Sequence, residues 1–351
     1  MRIAFVLPSL ANRGPIVFTK YLIDELSKIS SRIDVYYFDD VDEKTINLGC
    51  SCKKISIFEP FDFECYDIIH TTMLRPDFYG ILHKAKIKRS GAKVVTGIHN
   101  EIKKDMCFTY GSIKGGAISF VWVYLLRWFD GVIFSSKKMR EYYLSSLHLN
   151  NEIVIPYGIS KACADNSLKN SELEEISSKY TVIGAVGHLI NRKGFHQIIN
   201  SLVSLKEHAL IIVGDGPELN DLKKLVADNG LECRVVFVGF VNNSISYYKY
   251  FDIYCMSSYS EGFGLAMLEA LSFKLPLVCS NLDIYKGFFC NDDVGLFNLD
   301  DTESLTSAIT TVTNNLNYYA QSSYNLYGRF FTSKVMAERH LDYYISLQSK
   351  S

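Results

Sequence analysis

Short apolar runs alternate with longer segments of helical spacing along the first half of the chain. The first amphipathic helix is predicted over 15–29, where Phe18, Leu22 and Leu26 recur at helical intervals. The strand-like runs are Arg2–Leu7, Ile33–Phe38, Asp67–His70, Lys93–Ile98, Gly131–Ser135 and Glu152–Ile155. Because these runs are apolar and most are joined by helix-forming segments, the pattern predicts a parallel sheet covered by helices on both faces.

The same alternation begins again after a polar interval. Residues 161–178 are rich in Ser, Asn, Lys and Glu and poor in apolar side chains, which is typical of an interdomain linker. The later strand-like runs are Thr181–Val186, Ala209–Val213, Arg234–Val238, Asp252–Cys255, Leu275–Cys279 and Val294–Phe297. Helices are predicted over 302–313 and 330–347. A chain of 351 residues is long enough for two cores, so we expect one domain over 1–160 and a second over 179–330.

The composition is that of a globular protein, with 48% hydrophobic and 21% charged residues. The longest apolar run, Ala117–Leu126, has ten residues and is too short to span a bilayer. The first ten residues read better as a strand than as a signal peptide. Nine scattered cysteines lack the paired spacing of metal ligands, so we expect reduced thiols, a cytoplasmic location and no metal.

A net charge of −1 gives no indication of nucleic-acid binding, but basic residues are concentrated locally over 84–104. This stretch is either an ordinary solvated face or a docking surface for anionic lipid headgroups. The segment that follows, 102–127, mixes lysines with a strongly apolar face. It is either a core helix or an amphipathic helix that rests on a membrane surface.

The stretch from Ser257 to Cys279 carries the clearest chemical signal. Glu261 and Glu269 lie on either side of a predicted helix start near Gly264, where free backbone N–H groups form an anion site. Gly262 and Gly264 would allow a ligand to approach the backbone closely. A phosphate flanked by two hydroxyl-binding carboxylates fits a nucleotide sugar. The alternative is that both glutamates are ordinary solvated side chains.

The string EGFGLAMLEAL within this stretch resembles the signature of the family 4 retaining glycosyltransferases. The resemblance implies that Glu261 contacts the donor sugar and that Glu269 contacts the ribose of the nucleotide. It also implies that the residues between them, Phe263 and Leu265 together with the two glycines, border the donor.

The loop GHLINRKG, which follows a predicted strand, resembles the phosphate-binding loop of the same family. The family carries an Arg after the first glycine and a Lys before the second. Lys193 matches the lysine, whereas His188 stands at the arginine position. Either Arg192 or a protonated His188 would then supply the second positive charge. After a later strand, the resemblance places Val241 beside the nucleobase.

Two loops of the first half also match the family. His99 follows a predicted strand, and a lone histidine there is either structural or functional; the resemblance places it close to the donor sugar and the reacting centre. The loop after the first strand reads NRGP, so Gly14 stands where the family commonly has two glycines that contact the donor. This loop lacks the G-x-G-x-x-G fingerprint of dinucleotide binding, which disfavours a nicotinamide oxidoreductase.

The resemblance implies the GT-B fold: two Rossmann-like α/β domains that face each other across a cleft, with a C-terminal helix over 331–351 that crosses back to the first domain. The PYGI element at 156–159 matches the family's hinge. The implied activity is glycosyl transfer with retention of configuration, without metal or cofactor. The residues expected to act in catalysis are His99, Arg192, Lys193 and Glu261.

We expect a UDP-sugar as donor, on frequency alone, and a glycan acceptor, with a lipid-linked oligosaccharide of O-antigen, capsule or lipopolysaccharide synthesis as the first choice. The enzyme would then be peripheral at the inner face of the cytoplasmic membrane. Two alternatives remain open from the sequence. One is a sugar-nucleotide epimerase of the same shape, and the other is a non-catalytic module that binds a nucleotide sugar.

Overall fold

The computed structural model describes residues 1–41, 45–161 and 169–349, which form two compact units. Unit 1 contains Met1–Ser160 together with Thr332–Ser351, and unit 2 contains Lys161–Phe331. Part of the predicted linker, 162–168, lies outside the described residues. Among the described helices, none is both long and apolar enough to cross a membrane.

Unit 1 contains a parallel sheet of seven strands. They are β1 Arg2–Ser9, β2 Arg32–Asp39, β3 Ser51–Lys54, β4 Ile68–Thr72, β5 Lys93–Ile98, β6 Gly131–Phe134 and β7 Glu152–Val154. Their order is β3-β2-β1-β4-β5-β6-β7, and every pairing in the sheet is parallel. The predicted bounds of β5 are confirmed. The sequence analysis missed β3, since its side chains are all exposed and leave no apolar run.

Six helices of unit 1 connect these strands. They are α1 Gly14–Leu26, α2 Leu74–Leu82, α3 Lys84–Arg89, α4 Ile102–Tyr110, α5 Ser112–Leu125 and α6 Lys137–Leu144. Pro15 stands in the first turn of α1, where its missing N–H costs no hydrogen bond. The buried face of α1 carries Leu22, Ile23 and Leu26, which pack in one core with Phe5.

Unit 2 contains a second parallel sheet, of six strands. They are β8 Thr181–Val186, β9 His208–Val213, β10 Val235–Gly239, β11 Ile253–Met256, β12 Leu277–Ser280 and β13 Gly295–Phe297. Their order is β10-β9-β8-β11-β12-β13. The helices are α7 Ser171–Lys179, α8 Phe195–Leu202, α9 Leu219–Asp228, α10 Leu265–Ser272, α11 Thr302–Thr313 and α12 Leu316–Leu326. The predicted bounds of β8 and α11 are confirmed.

Both sheets have a topological switch point. In unit 1 the chain leaves β1 for β2 on one side and later returns to β4 on the other side. In unit 2 the neighbours of β8 are β9 and β11 in the same way. The loops after β1 and β4, and those after β8 and β11, therefore diverge and leave a crevice at the carboxyl ends of the strands, where ligands of open α/β sheets bind.

The C-terminal helix α13, Ser333–Gln348, belongs to unit 1. The hydroxyl of Thr332 accepts a hydrogen bond from the backbone N–H of Val335 at 3.1 Å and caps its first turn. Tyr344 and Leu347 of α13 are buried in the same core as the inner face of α1. Burial of these apolar side chains holds the end of the chain on unit 1.

Two segments differ from their sequence-based expectation. Residues 171–178, expected within the linker, form most of α7. The Asn170 side chain caps the backbone N–H of Leu173 at 3.1 Å, and two buried side chains, Leu173 and Ile176, are enough to attach a short helix.

The apolar segment 102–127 contains two antiparallel helices rather than one. The α4–α5 hairpin, 102–125, turns at Gly111, whose φ is +80°. A Cβ on Gly115 would lie 2.2 Å from the carbonyl oxygen of Met106, so glycine lets the two helices approach closely. Much of α5 is exposed. Trp122 is buried in the core of unit 1, whereas Phe120 and Tyr124 are exposed, so α5 is a core helix on one face and carries apolar side chains on its outer face.

Asp77 of α2 is fully buried and joins four elements of unit 1. Its carboxylate accepts hydrogen bonds from Thr71 at 2.6 Å, Thr96 at 2.7 Å and Trp122 Nε1 at 2.7 Å. Burial raises the pKa of Asp77 to about 6, although the three hydrogen bonds act in the opposite direction. This network ties α2 and α5 to β4 and β5.

Replacing Asp77 with Ala is expected to destabilise unit 1 by about 2–4 kcal/mol, because three buried donors lose their acceptor. Both tryptophans of the chain, Trp122 and Trp128, lie in unit 1, so tryptophan fluorescence during urea unfolding reports on this unit. The exposed Asp342→Ala, in α13 of the same unit, is the matched control. Equal unfolding midpoints for the two variants would show that the network does not stabilise the unit.

Candidate functional site

A pocket of unit 2 lies at the switch point of its sheet, where the loops after β8 and β11 meet. Lys193 comes from the first loop, Glu261 from the second, and Gly264 from the start of α10. The other lining residues are Val186, Phe195, Tyr254, Cys255, Met256, Ser257, Ser258, Ala266 and Met267. The topology thus collects residues that are far apart in sequence at one edge of the sheet.

Glu261 and Lys193 form a short ion pair in this pocket. Lys193 Nζ lies 2.7 Å from Glu261 Oε1, and the Ser258 hydroxyl donates to the same oxygen at 2.5 Å. Arg192 Nη1 lies 3.9 Å from the other carboxylate oxygen and donates to the backbone carbonyl of Ser260 at 2.6 Å. Only 6% of the Glu261 side chain is exposed, so it is not an ordinary solvated glutamate.

Hydrogen bonds fix the lysine turn against the loop after β11. The Ser257 hydroxyl donates to the carbonyl of Lys193 at 3.0 Å, and the Gln197 amide donates to the carbonyl of Ser257 at 3.0 Å. Gly194 has a φ of +64°, and a Cβ there would lie 2.3 Å from the Ser257 oxygen. The close approach of the two loops therefore requires glycine.

The start of α10 has the open geometry that an anion site needs. Gly264 stands before Leu265 with a φ of +90°, and no side chain caps the helix. A Cβ at Gly264 would also lie 3.1 Å from the Tyr285 hydroxyl. Both the positive φ and this close approach therefore favour glycine at the position. Gly262 is exposed, and a Cβ there would meet no atom within 4 Å. Any need for glycine at Gly262 would come from a ligand.

Glu269 lies one turn further along α10 and is buried. The Tyr248 hydroxyl donates to Glu269 Oε2 at 2.9 Å. Burial raises the pKa of Glu269 to about 7, and the hydrogen bond from Tyr248 partly opposes this shift. Burial raises the pKa of Tyr254, and the charges of Glu261 and Glu269 act in the same direction.

Of the predicted donor residues in unit 2, Lys193, Glu261 and Gly264 line this pocket, whereas His188, Arg192, Val241, Gly262, Phe263, Leu265 and Glu269 do not. The Phe263 side chain is buried against the rings of Tyr285, Phe288 and Phe331, which leaves only its backbone for a ligand. His188 is exposed and donates from Nδ1 to the Asp215 carbonyl at 2.7 Å. Val241 is half-buried after β10. Arg192 is therefore the neighbour of Lys193 that reaches the Glu261 carboxylate.

In unit 1, His99 follows β5 and lines a second pocket. Its Nε2 is hydrogen-bonded to Thr72 Oγ1, and its Nδ1 to the Tyr157 hydroxyl. The rings of His99 and Tyr157 stack with their centroids 5.5 Å apart. Burial, together with the nearby His340, lowers the pKa of His99 to about 4, so the ring is neutral at pH 7. Gly14, the first residue of α1, is exposed between two lining residues of the same pocket.

Several supporting residues were missed at the sequence level. Ser258 lies in the polar run directly before Glu261, and that run could have indicated it. Tyr248 precedes Glu269 by 21 positions and carries no local signal. Tyr157 was noted only as part of the PYGI hinge, although it holds the His99 ring.

Two family models match the chain. The model described as Glycosyl transferases group 1 matches residues 167–329, and the model described as Glycosyltransferase Family 4 matches residues 58–161. The O-antigen biosynthesis glycosyltransferase WclY of Escherichia coli is 29% identical over 355 residues, which cover 99% of each chain. The UDP-Gal:alpha-D-GlcNAc-diphosphoundecaprenol alpha-1,3-galactosyltransferase of Escherichia coli is 25% identical over 323 residues, 84% of this chain and 79% of that enzyme.

Solved structures resemble the whole chain. Anabaena Alr3699/HepE in complex with UDP superposes with a TM-score of 0.77 at 18% identity, covering 99% of this chain and 100% of that one. Sucrose-phosphate synthase from Thermosynechococcus elongatus superposes with a TM-score of 0.76 at 16% identity, covering 100% of both chains. At these identities the likeness establishes the fold, and the GT-B prediction is confirmed.

Replacing Tyr248 with Phe is expected to raise the pKa of Glu269 above about 7. The hydroxyl of Tyr248 stabilises the ionised carboxylate, and the variant lacks this hydrogen bond. A ¹³C NMR titration of glutamate-labelled protein measures this, and Glu269→Gln identifies the signal. Tyr247→Phe, at the neighbouring position, is the control. If the pKa is unchanged in Tyr248→Phe, the hydroxyl does not support the carboxylate.

Proposed function

This chain is a family 4 glycosyltransferase of the surface-polysaccharide type, and on that premise we propose that it transfers a sugar from a UDP-sugar to a lipid-linked glycan in O-antigen, capsule or lipopolysaccharide synthesis. Its relatives support the donor and the acceptor. The name of one Escherichia coli relative specifies UDP-Gal and a diphosphoundecaprenol-linked sugar, and a similar Anabaena structure contains UDP.

The observation that carries the proposal is the Lys193–Glu261 pair beside the open start of α10. The donor diphosphate would bind the N–H groups that follow Gly264, with Lys193 and Arg192 on its other side. These cations would stabilise the negative charge that develops on the leaving diphosphate. Positive charge supplied by side chains and a helix start removes the need for a metal ion.

Donor binding would exchange the partners of this ion pair. Lys193 and Ser258 both donate a hydrogen bond to Glu261 Oε1. A diphosphate would draw Lys193 away, and the freed carboxylate oxygen would accept a hydroxyl of the donor sugar. The diphosphate would bind Lys193 and the sugar would bind Glu261. The two parts of the donor would therefore be recognised together, because each takes one member of the ion pair as its partner.

Glu269 would hold the ribose of the nucleotide. A buried carboxylate that accepts the two ribose hydroxyls binds them best in its ionised form. With a pKa of about 7 in the free enzyme, part of the Glu269 population is protonated at neutral pH. Donor affinity is therefore expected to fall as the pH drops below 7.

The reaction would proceed with retention and without a carboxylate nucleophile. Glu261, hydrogen-bonded by Ser258 and Lys193, would accept a hydroxyl of the sugar. The leaving phosphate would take the proton of the acceptor hydroxyl as attack occurs from the same side of the sugar. His99 is neutral and hydrogen-bonded at both ring nitrogens, and the family resemblance implies that it contacts the donor sugar.

The α4–α5 hairpin supports a location at the inner face of the cytoplasmic membrane. Phe108, Ile113 and Phe120 are 93%, 90% and 75% exposed. Lys103, Lys104, Lys114 and Arg127 flank them along the chain. Exposed apolar side chains with cations nearby in the sequence fit the interface of an anionic bilayer, where the rings would enter the headgroup region and the cations would pair with lipid phosphates.

Glu261→Gln is expected to separate sugar recognition from nucleotide recognition. The variant should bind the free nucleoside diphosphate about threefold or more tightly than the native enzyme, because Lys193 no longer has to leave a carboxylate. It should lose the preference for the nucleotide sugar and most transfer activity. Thermal shift against UDP, GDP, ADP and their sugars selects the nucleotide, and calorimetry then measures both affinities.

The exposed Glu232→Gln is the matched control, and Glu269→Ala tests the ribose contact in the same assays. Full donor affinity and activity in Glu269→Ala would exclude a role of Glu269 in ribose binding.

Release of free sugar from the donor without an acceptor would indicate an epimerase, and binding without turnover would indicate a non-catalytic module. Transfer assays with EDTA and NMR of the product's anomeric proton test metal independence and retention.

Replacing Phe108, Ile113 and Phe120 together with Ser is expected to reduce binding to vesicles of phosphatidylglycerol and phosphatidylethanolamine by about tenfold or more, since each loses apolar area in the interface. Cosedimentation at low salt measures this. The control triple variant replaces the exposed Tyr318, Phe240 and Val203 of unit 2 with Ser. Equal vesicle binding by both triple variants would contradict the role of the hairpin.

A further inference from the structure

Tyr157, in the PYGI element, packs against two other rings of unit 1. Its ring stacks on Phe18 of α1 with the centroids 3.9 Å apart and the planes 10° apart. The planes of Tyr157 and His99 are 5° apart. Tyr157 is buried, so the three nearly parallel rings form one packed group. This packing fixes the direction in which the hydroxyl of Tyr157 points.

The backbone that follows Tyr157 is held by the C-terminal helix. The N–H of Gly158 donates to Sδ of Met336 at 3.2 Å. A Cβ on Gly158 would lie 2.2 Å from the carbonyl oxygen of Thr332, so this close approach requires glycine. The ring and the backbone of Tyr157 are thus both fixed by neighbours within unit 1.

The imidazole of His99 is bracketed by two hydroxyls. Its Nε2 is hydrogen-bonded to Oγ1 of Thr72, and its Nδ1 to the hydroxyl of Tyr157. A neutral imidazole has one nitrogen that donates and one that accepts. One of the two hydroxyls must therefore donate and the other accept, and this choice decides which tautomer His99 adopts.

Thr72 settles the direction of this hydrogen-bond chain. A threonine hydroxyl has one proton, and that of Thr72 donates to the carbonyl of Gly97 at 3.4 Å. Its oxygen is then the acceptor for the N–H at Nε2 of His99. Burial raises the pKa of Tyr157, so this hydroxyl keeps its proton and can donate it to Nδ1.

Gly97 leaves room for the His99 ring to reach the neighbouring strand. Thr72 of β4 and Gly97 of β5 are partners in the register of the sheet. A Cβ on Gly97 would lie 3.2 Å from Nε2 of His70 and 3.6 Å from Nε2 of His99. Because glycine has no side chain, the His99 ring can turn back toward Thr72 at the end of β4.

We propose that Tyr157 is a positioning residue of the transfer reaction: its hydroxyl donates to Nδ1 of His99, fixes the Nε2–H tautomer and holds the ring in place at the pocket of unit 1. The proposal rests on the proposed function, in which His99 contacts the donor sugar, and adds the residue that orients it. With both nitrogens occupied, His99 has no free lone pair for the proton of the acceptor hydroxyl. Its role is then to orient the sugar and not to act as a base.

Long-range ¹H–¹⁵N NMR of the histidine-labelled full chain reads the tautomer directly. Native His99 is expected to be the Nε2–H tautomer at pH 7, and His99→Gln identifies its signals. Tyr157→Phe keeps the packed ring and removes the donor, so the share of the Nδ1–H tautomer should rise about fivefold or more. A water molecule that replaced the hydroxyl could donate or accept, and so would not restore the preference.

Tyr142→Phe, an exposed tyrosine of α6 in the same unit, is the matched control. Thr72→Val removes the acceptor at Nε2 and should also shift the tautomer ratio, whereas Thr72→Ser keeps the hydroxyl and should retain the native ratio. Circular dichroism confirms that each variant is folded. An Nδ1–H tautomer in the native chain, or equal ratios in Tyr157→Phe and Tyr142→Phe, would overturn the proposal.

Kinetics then tests whether the orientation of His99 matters for transfer. Tyr157→Phe should lower kcat at least about tenfold, because a misplaced group in the site costs up to about 100-fold. Its affinity for UDP, measured by calorimetry, should stay within about twofold of the native value, since the proposed phosphate site lies in unit 2. An unchanged kcat would contradict the positioning role.

The double variant Tyr157→Phe/Thr72→Val provides a further check. Both changes act through one ring, so the double variant should lose little more activity than the more affected single variant. Independent, multiplying losses would overturn the common chain. If the native enzyme transferred no sugar to any acceptor, the proposed function would fail, and the tautomer measurement would still decide whether Tyr157 orients His99.

Discussion

The function of this chain depends on one constraint, that the described strands of each sheet all run parallel. Every loop that leaves the carboxyl end of a strand arrives at the same edge of its sheet, and the change of winding direction at β1 and at β8 opens a crevice there. Lys193 and Glu261, 68 positions apart in sequence, meet at one crevice. Arg13, Arg75 and His99 meet at the other. Each unit thus brings a charged pocket to its strand ends.

The unit 2 crevice contains a carboxylate whose charge is balanced by a neighbouring lysine. A carboxylate withdrawn from water needs a cation, and Glu261 has Lys193 as its partner at 2.7 Å. The same lysine is the natural partner of a diphosphate. We propose that a donor diphosphate competes with Glu261 for this lysine, which would free a carboxylate oxygen to accept a hydroxyl of the sugar.

Buried polar groups beside the crevices hold the elements that shape these crevices. Asp77 accepts three hydrogen bonds and so couples the α2 start, which carries Arg75, to the hairpin that carries Trp122. Gln197, Ser257 and Gly194 couple the lysine turn to the loop of Glu261. In both units a satisfied polar network, rather than apolar contact alone, sets the position of the functional loops.

The sequence by itself determined the order of most strands and helices, the start of α10 at Leu265 and the E-x7-E segment, because apolar periodicity, glycine turns and helix starts are local properties. It did not determine β3, because the exposed side chains of this strand form no apolar run. It also did not determine α7, because only two buried apolar side chains attach this helix to unit 2. Only the tertiary structure decided that Lys193 pairs with Glu261, that Tyr248 supports Glu269, and that Phe263 turns into an aromatic core. Such pairings join residues that are distant in the chain, and no local pattern encodes the distance between them.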